Sequence, residues 1–209
     1  MSPPIMDFPK SLGGPQARNA RLRMLRARHI APLTRFVERL RDEKGPRFKI
    51  PYFDPLDAGV RAECLFLLEA PGPNAIRSGF VSRNNPDETA KNFLTFNRTV
   101  GIDRTRTVIW NVVPWYVGAG TRIRPVNRAD ITAALDALET LLSLLPHVRI
   151  VVLTGKKAAS ARSQVERFLP RAQVFDVPHP SPMFVNRAPA NRVRVLKAMR
   201  QVASALRVG

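Results

Sequence analysis

Thiols are almost absent from this chain. Cys64 is the only cysteine in 209 residues, which excludes an intrachain disulfide and any zinc site built on paired thiolates. Histidine is nearly as scarce: His29, His147 and His179 are too scattered to hold a metal without thiolate partners, and no metal is expected. Acids are few as well, 16 Asp and Glu against 34 Lys and Arg. The resulting formal charge of +18 exceeds what solubility requires and implies a polyanionic partner, nucleic acid first and an anionic membrane second. No apolar run approaches the roughly 20 residues that cross a bilayer. The opening Met1 to Lys10 lacks a basic segment followed by an apolar core, so a cytoplasmic protein without a membrane partner is expected. Nucleotide-binding loops are missing too. There is no Gly-Lys-Ser/Thr loop, and Gly118-Ala119-Gly120 lacks both the third glycine and the strand-to-helix setting of a dinucleotide site, so no cofactor is expected.

What is present is enough for one packed domain. A 209-residue chain with 44% hydrophobic residues can bury a full core. The pattern divides into a basic helical extension with a Pro/Gly-rich loop over residues 1–59 and an α/β domain over 60–209. From Pro15 to Lys44 the apolar residues Leu22, Leu25, Leu33, Phe36, Val37 and Leu40 recur at helical spacing, with Pro32 marking a break or kink and arginines filling much of the remainder. That arginine-rich face reads either as solvated or as lying on DNA. Gly45 to Gly59, with Pro46, Pro51 and Pro55, reads as a loop. Buried-strand runs then follow at Leu65 to Leu68, Thr107 to Val112, Arg149 to Leu153 and Ala172 to Val177. Helices are expected between them: one started by Asn85-Pro86-Asp87-Glu88 and ending at Gly101, one capped by Asn127 and stopped by Pro146, and one opened by Gly155 and running to Leu169. A last helix covers about Asn191 to Leu206. Strands alternating with helices predict a three-layer α/β/α fold with a mainly parallel four-stranded central sheet. Cys64, opening the first strand, reads as a small core residue.

Two of these strands end in unusual loops. Leu65-Phe66-Leu67-Leu68 runs into Glu69-Ala70-Pro71-Gly72-Pro73, and the run ending at Val177 leads into His179-Pro180-Ser181-Pro182. An open α/β sheet builds its site at the carboxyl ends of its strands, so two such loops can face one another. The pair resembles the first and second motifs of the uracil-DNA glycosylase superfamily, of the types Gly-Glu-Ala-Pro-Gly and His-Pro-Ser-Pro. Between them, Ile109-Trp110-Asn111-Val112-Val113-Pro114 matches the strand end where that superfamily places a base-pocket Asn. The resemblance spans Ala62 to Arg187. One departure is plain: the branches with this first motif carry a four-thiolate iron–sulfur cluster, which a chain with Cys64 alone cannot hold.

The resemblance implies roles for individual residues. His179 would donate a hydrogen bond to the base O2 as negative charge gathers there, and Asn111 would offer its amide to uracil O4 and N3–H. Phe80 lies where related enzymes stack an aromatic on the base, though a phenylalanine there is equally a core residue. Ala70 occupies the place of the superfamily's best-known general base, an Asp, so that role cannot be carried over. Glu69 is the first candidate for positioning water or facing the cationic sugar and Asn74 the second, with a structural Glu69 tying two loops together as the alternative. Gly72 stands where other branches carry a Tyr that bars bulkier bases, and leaves the pocket open. Toward the DNA backbone, Ser181 and Lys156, the latter in Thr154-Gly155-Lys156-Lys157 at an expected helix start, would meet phosphates. Met183 or Phe184 would wedge into the gap left by a flipped nucleotide, with Arg187 on a neighbouring phosphate. The implied protein is a monomeric, monofunctional glycosylase that flips uracil out of DNA and hydrolyses its glycosidic bond. The alternatives are a glycosylase for another deaminated base, a slow-turnover binder of uracil or abasic DNA, and a non-catalytic nucleic-acid-binding module.

Overall fold

Two helices, α1 (Pro15–Met24) and α2 (Ala31–Lys44), open the described chain of this computed structural model. It describes residues 6–119 and 122–208, so Met1 to Ile5 of the opening stretch and Gly120 of the glycine run lie outside the described residues. The single long helix expected over residues 15–44 is therefore two. Pro32 sits in the first turn of α2, where its missing N–H costs nothing, and it starts a helix where a kink was expected. The remaining elements in chain order are β1 (Tyr52–Phe53), β2 (Cys64–Leu68), α3 (Pro73–Ser78), β3 (Phe80–Val81), α4 (Glu88–Val100), β4 (Thr107–Asn111), β5 (Gly118–Ala119), β6 (Arg122–Ile123), α5 (Arg128–Ser143), β7 (Ile150–Thr154), α6 (Lys156–Ala159), α7 (Arg162–Phe168), β8 (Gln173–Val177), α8 (Pro182–Val185) and α9 (Pro189–Arg207).

The central sheet has the strand order β4-β2-β7-β8, all parallel. Its layers follow from register and side-chain alternation. Leu67 pairs with Trp110 and Phe66 with Ile109, so Trp110 and Phe66 point to opposite faces. Trp110 meets Phe36 of α2 edge-on at 6.2 Å and stacks on Phe53 at 3.7 Å, whereas Phe66 meets Phe93 of α4 at 5.0 Å. Helices α2, α5 and α7 therefore cover one face, and α4 and α9 the other. Each of these fully buried aromatic side chains contributes about 1.5–3 kcal/mol. The expected three-layer architecture is the observed one. Residues 30–58 contribute Ile30, Leu33, Phe36, Val37, Leu40 and Phe53 to the same core as the sheet. Cys64 is fully buried there, and burial pushes its thiol pKa up.

Caps and short pairings refine the outline. The cap of α4 is Asp87, whose carboxylate accepts the Ala90 N–H at 2.8 Å; Asn85, expected in that role, instead accepts from Ser78 Oγ and donates to the Phe80 carbonyl. Asn127 caps α5 in a reciprocal box with Asp130, as expected. The helix expected from Gly155 to Leu169 breaks into α6 and α7. Inside the expected loop of residues 45–59, β1 pairs with β3 in parallel, and β5 with β6 forms a hairpin. Among the described residues no helix is long and apolar enough to cross a membrane.

A buried ionic network ties the N-terminal segment to the loop after β3. Asp54 accepts from Arg21 Nε at 3.0 Å and Arg104 Nη2 at 3.1 Å, and also from Ser82 Oγ. Arg104 further bonds Asp57, Asn84 and Asp7. Arg21, part of the expected arginine face of the first helix, is 1% exposed. Removing one partner of such a buried set typically costs about 3–5 kcal/mol, because the others are left charged and unpaired.

Candidate active site

The carboxyl ends of β2, β4 and β8 converge on a cleft of about 720 Å³, lined among others by Glu69, Ala70, Gly72, Asn74, Asn111 and His179. Backbone bonds hold the strand ends together: Val112 N–H donates to the Leu68 carbonyl at 2.8 Å and Val113 N–H to the Glu69 carbonyl at 3.0 Å. The first motif loop then enters α3. Two loops read from the sequence as facing each other do so.

Asn111 ends β4 with only 3% of its surface exposed, and its amide nitrogen has no hydrogen-bond partner. An unpaired buried donor costs about 1–3 kcal/mol, and this one stands in a cleft wall, where a group entering the cleft can satisfy it. Among the described residues no backbone carbonyl takes that N–H. His179 is largely buried, and that burial lowers its pKa; the charges of Glu69 and Asp87 act in the opposite direction. The imidazole is thus neutral at neutral pH, able to donate one N–H without carrying a charge into the cleft. Its loop is fixed from outside. Asn92 of α4 donates to the Pro180 carbonyl at 3.0 Å. Gly155, at φ +90°, lies so close that a Cβ there would stand 3.0 Å from the His179 Cβ, so glycine satisfies both the left-handed backbone and the contact.

The remaining cleft residues divide between structure and opening. Glu69 accepts the Val126 N–H at 3.1 Å through one carboxylate oxygen, tying the first loop to the segment before α5 while it lines the cleft. Asn74 Oδ1 accepts from the Arg77 guanidinium. At Gly72 an added Cβ would meet nothing within 4 Å, so the space a larger side chain would fill is open.

A family profile described as the uracil DNA glycosylase superfamily matches residues 56–203. The chain belongs to the uracil DNA glycosylase superfamily. Two solved structures are similar. The solution NMR structure of a candidate uracil DNA glycosylase from Methanosarcina acetivorans is 15% identical with a TM-score of 0.41, covering 68% of this chain and 91% of its own. The crystal structure of a tyrosine-to-phenylalanine variant of mimivirus UNG in complex with UGI is also 15% identical with a TM-score of 0.41, covering 79% of this chain and 70% of its own. No curated protein sequence is matched by the chain.

Measured against this superfamily's pocket, one expected residue is displaced. Phe80 is fully buried with Leu12 and Ala17, beside Tyr52, and does not line the cleft. The stacking role is withdrawn, because β3 turns this ring toward the N-terminal segment. Phe93 and Val81 supply apolar wall in its place. Three DNA-side candidates lie off the cleft: Ser181 caps α8, Lys156 is exposed at the start of α6, and Arg187 is exposed after α8. Met183 is at the cleft mouth and 86% exposed, whereas Phe184 lies half-buried under the Arg194 guanidinium. Of the two wedge candidates, Met183 is the one presented.

Sequence reasoning missed Arg83, Asp87 and the β5–β6 hairpin. Arg83 is 1% exposed, donates to Thr107 Oγ1 at 2.8 Å, lies over the Phe93 ring and lines the cleft. Asp87 was visible only as part of a helix start. Ile123 and Arg124 line the mouth from β6 and the residue after it; no periodicity marks a two-residue strand.

Proposed function

We propose that this superfamily member removes uracil from DNA by hydrolysing its N-glycosidic bond, leaving an abasic site. The observation that carries the reading is the unpaired, buried amide of Asn111 in the same cleft as His179. Breaking the bond leaves negative charge on the base and positive charge on the sugar. His179 donates to the base O2 as that charge gathers. Asn111 donates to O4 and accepts from N3–H; cytosine sets its own 4-amino donor against the amide and lacks the N3 proton, so it leaves both groups unsatisfied.

Hydrolysis is favoured over a lyase reaction because the cleft wall carries Arg83 and Arg124 and, among the described residues, no lysine to form a Schiff base. The charge of +18 suits a DNA partner. Ala70, which cannot orient water, favours a second reading: a protein that binds uracil or abasic DNA and turns over slowly. Incubating the protein with a uracil-containing oligonucleotide and treating the product with hot alkali separates the two. Strand scission at the uracil position is the expected result. Retention of the oligonucleotide without scission supports the binder.

A further inference from the structure

Among the described residues two carboxylates line the cleft, Glu69 and Asp87, and each accepts one backbone N–H on one oxygen. Glu69 is engaged by the Val126 N–H. Asp87 uses Oδ1 to cap α4, and among the described residues its Oδ2 has no hydrogen-bond partner and no cation within ion-pair reach, whereas its neighbour Glu88 is paired with Lys10 and Lys91. Among the described residues the two arginines of the cleft wall are already held, Arg124 by Asp130 and Arg83 by Thr107 and Asp57. An unneutralised carboxylate in a cleft that receives a polyanion opposes binding, unless positive charge develops beside it during the reaction.

We propose that Asp87 is a catalytic carboxylate of this site, facing the deoxyribose and the attacking water. The inference rests on the glycosylase reading. As the bond between C1′ and the base nitrogen breaks, its electron pair leaves with the base and C1′ becomes electron-poor. Asp87 stabilises that charge through its free oxygen, which also accepts a proton from the water whose oxygen bonds to C1′. The proton then passes to solvent, and the base anion takes one from solvent. His179 and Asp87 thereby serve opposite charges: the imidazole the base, the carboxylate the sugar.

The alternative, that Asp87 only caps α4, is separable because Asn caps as well as Asp. Asp87→Asn should keep the wild-type melting temperature and bind uncleaved DNA as tightly or more tightly, while its single-turnover rate of uracil release falls about a hundredfold. A second readout needs no turnover. Wild type should prefer an oligonucleotide with a cationic pyrrolidine abasic analogue over one with the neutral tetrahydrofuran analogue, and Asp87→Asn should lose about tenfold of that preference. A full rate in the variant, a loss that merely follows melting temperature, or an unaltered analogue preference would overturn the proposal. If wild type releases no uracil, the function reading falls, and the analogue preference alone decides the role of Asp87.

Discussion

Asn111 is held at 3% exposure with a free amide nitrogen, so under the proposed function base choice depends on which atoms that side chain presents. Asn111→Asp replaces the donor by an acceptor or, when protonated, by a hydroxyl that can pair with cytosine. Uracil excision should then drop by about 1–3 kcal/mol of transition-state stabilisation, and cytosine should become a detectable substrate; kcat/KM on both bases measures it. Unchanged uracil kinetics would remove Asn111 from base recognition. At this scale the sequence was readable where a polar residue ended an apolar run, as at Glu69, Asn111 and His179. Phe80 was misplaced because an apolar residue next to a pocket looks the same as one next to a core. Asp87 was hidden because helix capping fully accounts for an Asp in that position.

Among the elements, the strands hold the site from behind. Glu63, just before β2, takes Arg106 at 2.6 Å and Arg149 at 3.0 Å, and both guanidinium groups also reach the Leu206 carbonyl at the end of α9. Its hydrogen bonds with Arg106 and then Arg149 lower its pKa to about 2, against burial. The stabilisation from a depressed carboxylate pKa is present above the unfolded value, near 4.3, and is lost as pH falls toward 2. Glu63→Gln should therefore melt lower than wild type at pH 7, with a flatter stability profile across that acid window. Melting curves at a series of pH values check this, and superimposable profiles would contradict it. The basic helix α1 calls for a different experiment. Leu33, Phe36, Val37 and Leu40 of α2 are core residues, so removing residues up to Lys44 would open the core. Replacing Arg18 and Arg23 of α1 by Gln, with Arg26 just beyond its end, spares it. If α1 lies on phosphates, the slope of log affinity against log salt should shrink by about 0.9 per lost contact on duplex DNA; an unaltered slope leaves these side chains in solvent. The long elements were legible from periodicity, whereas β1, β3, β5 and β6, two residues each, have no period to read.

For the whole molecule, composition announced a polyanionic partner but not where it binds. Arg21, Arg83 and Arg104 are buried against Asp7, Asp54 and Asp57, so part of the positive charge stabilises the fold and never meets DNA. The parallel order β4-β2-β7-β8 was implied by alternating strands and helices, and it is this order that brings β8 and its His179 loop to the same cleft as β2 and β4. The central claim is that the cleft accelerates departure of the base by donating to its developing negative charge. The most direct test is His179→Ala, followed by single-turnover uracil release at saturating protein beside a binding titration on the same duplex. The rate should fall at least about a hundredfold, the scale of losing one preorganised oxyanion donor, with affinity nearly unchanged. A fall of less than about tenfold, or one explained by lost binding, would contradict the account.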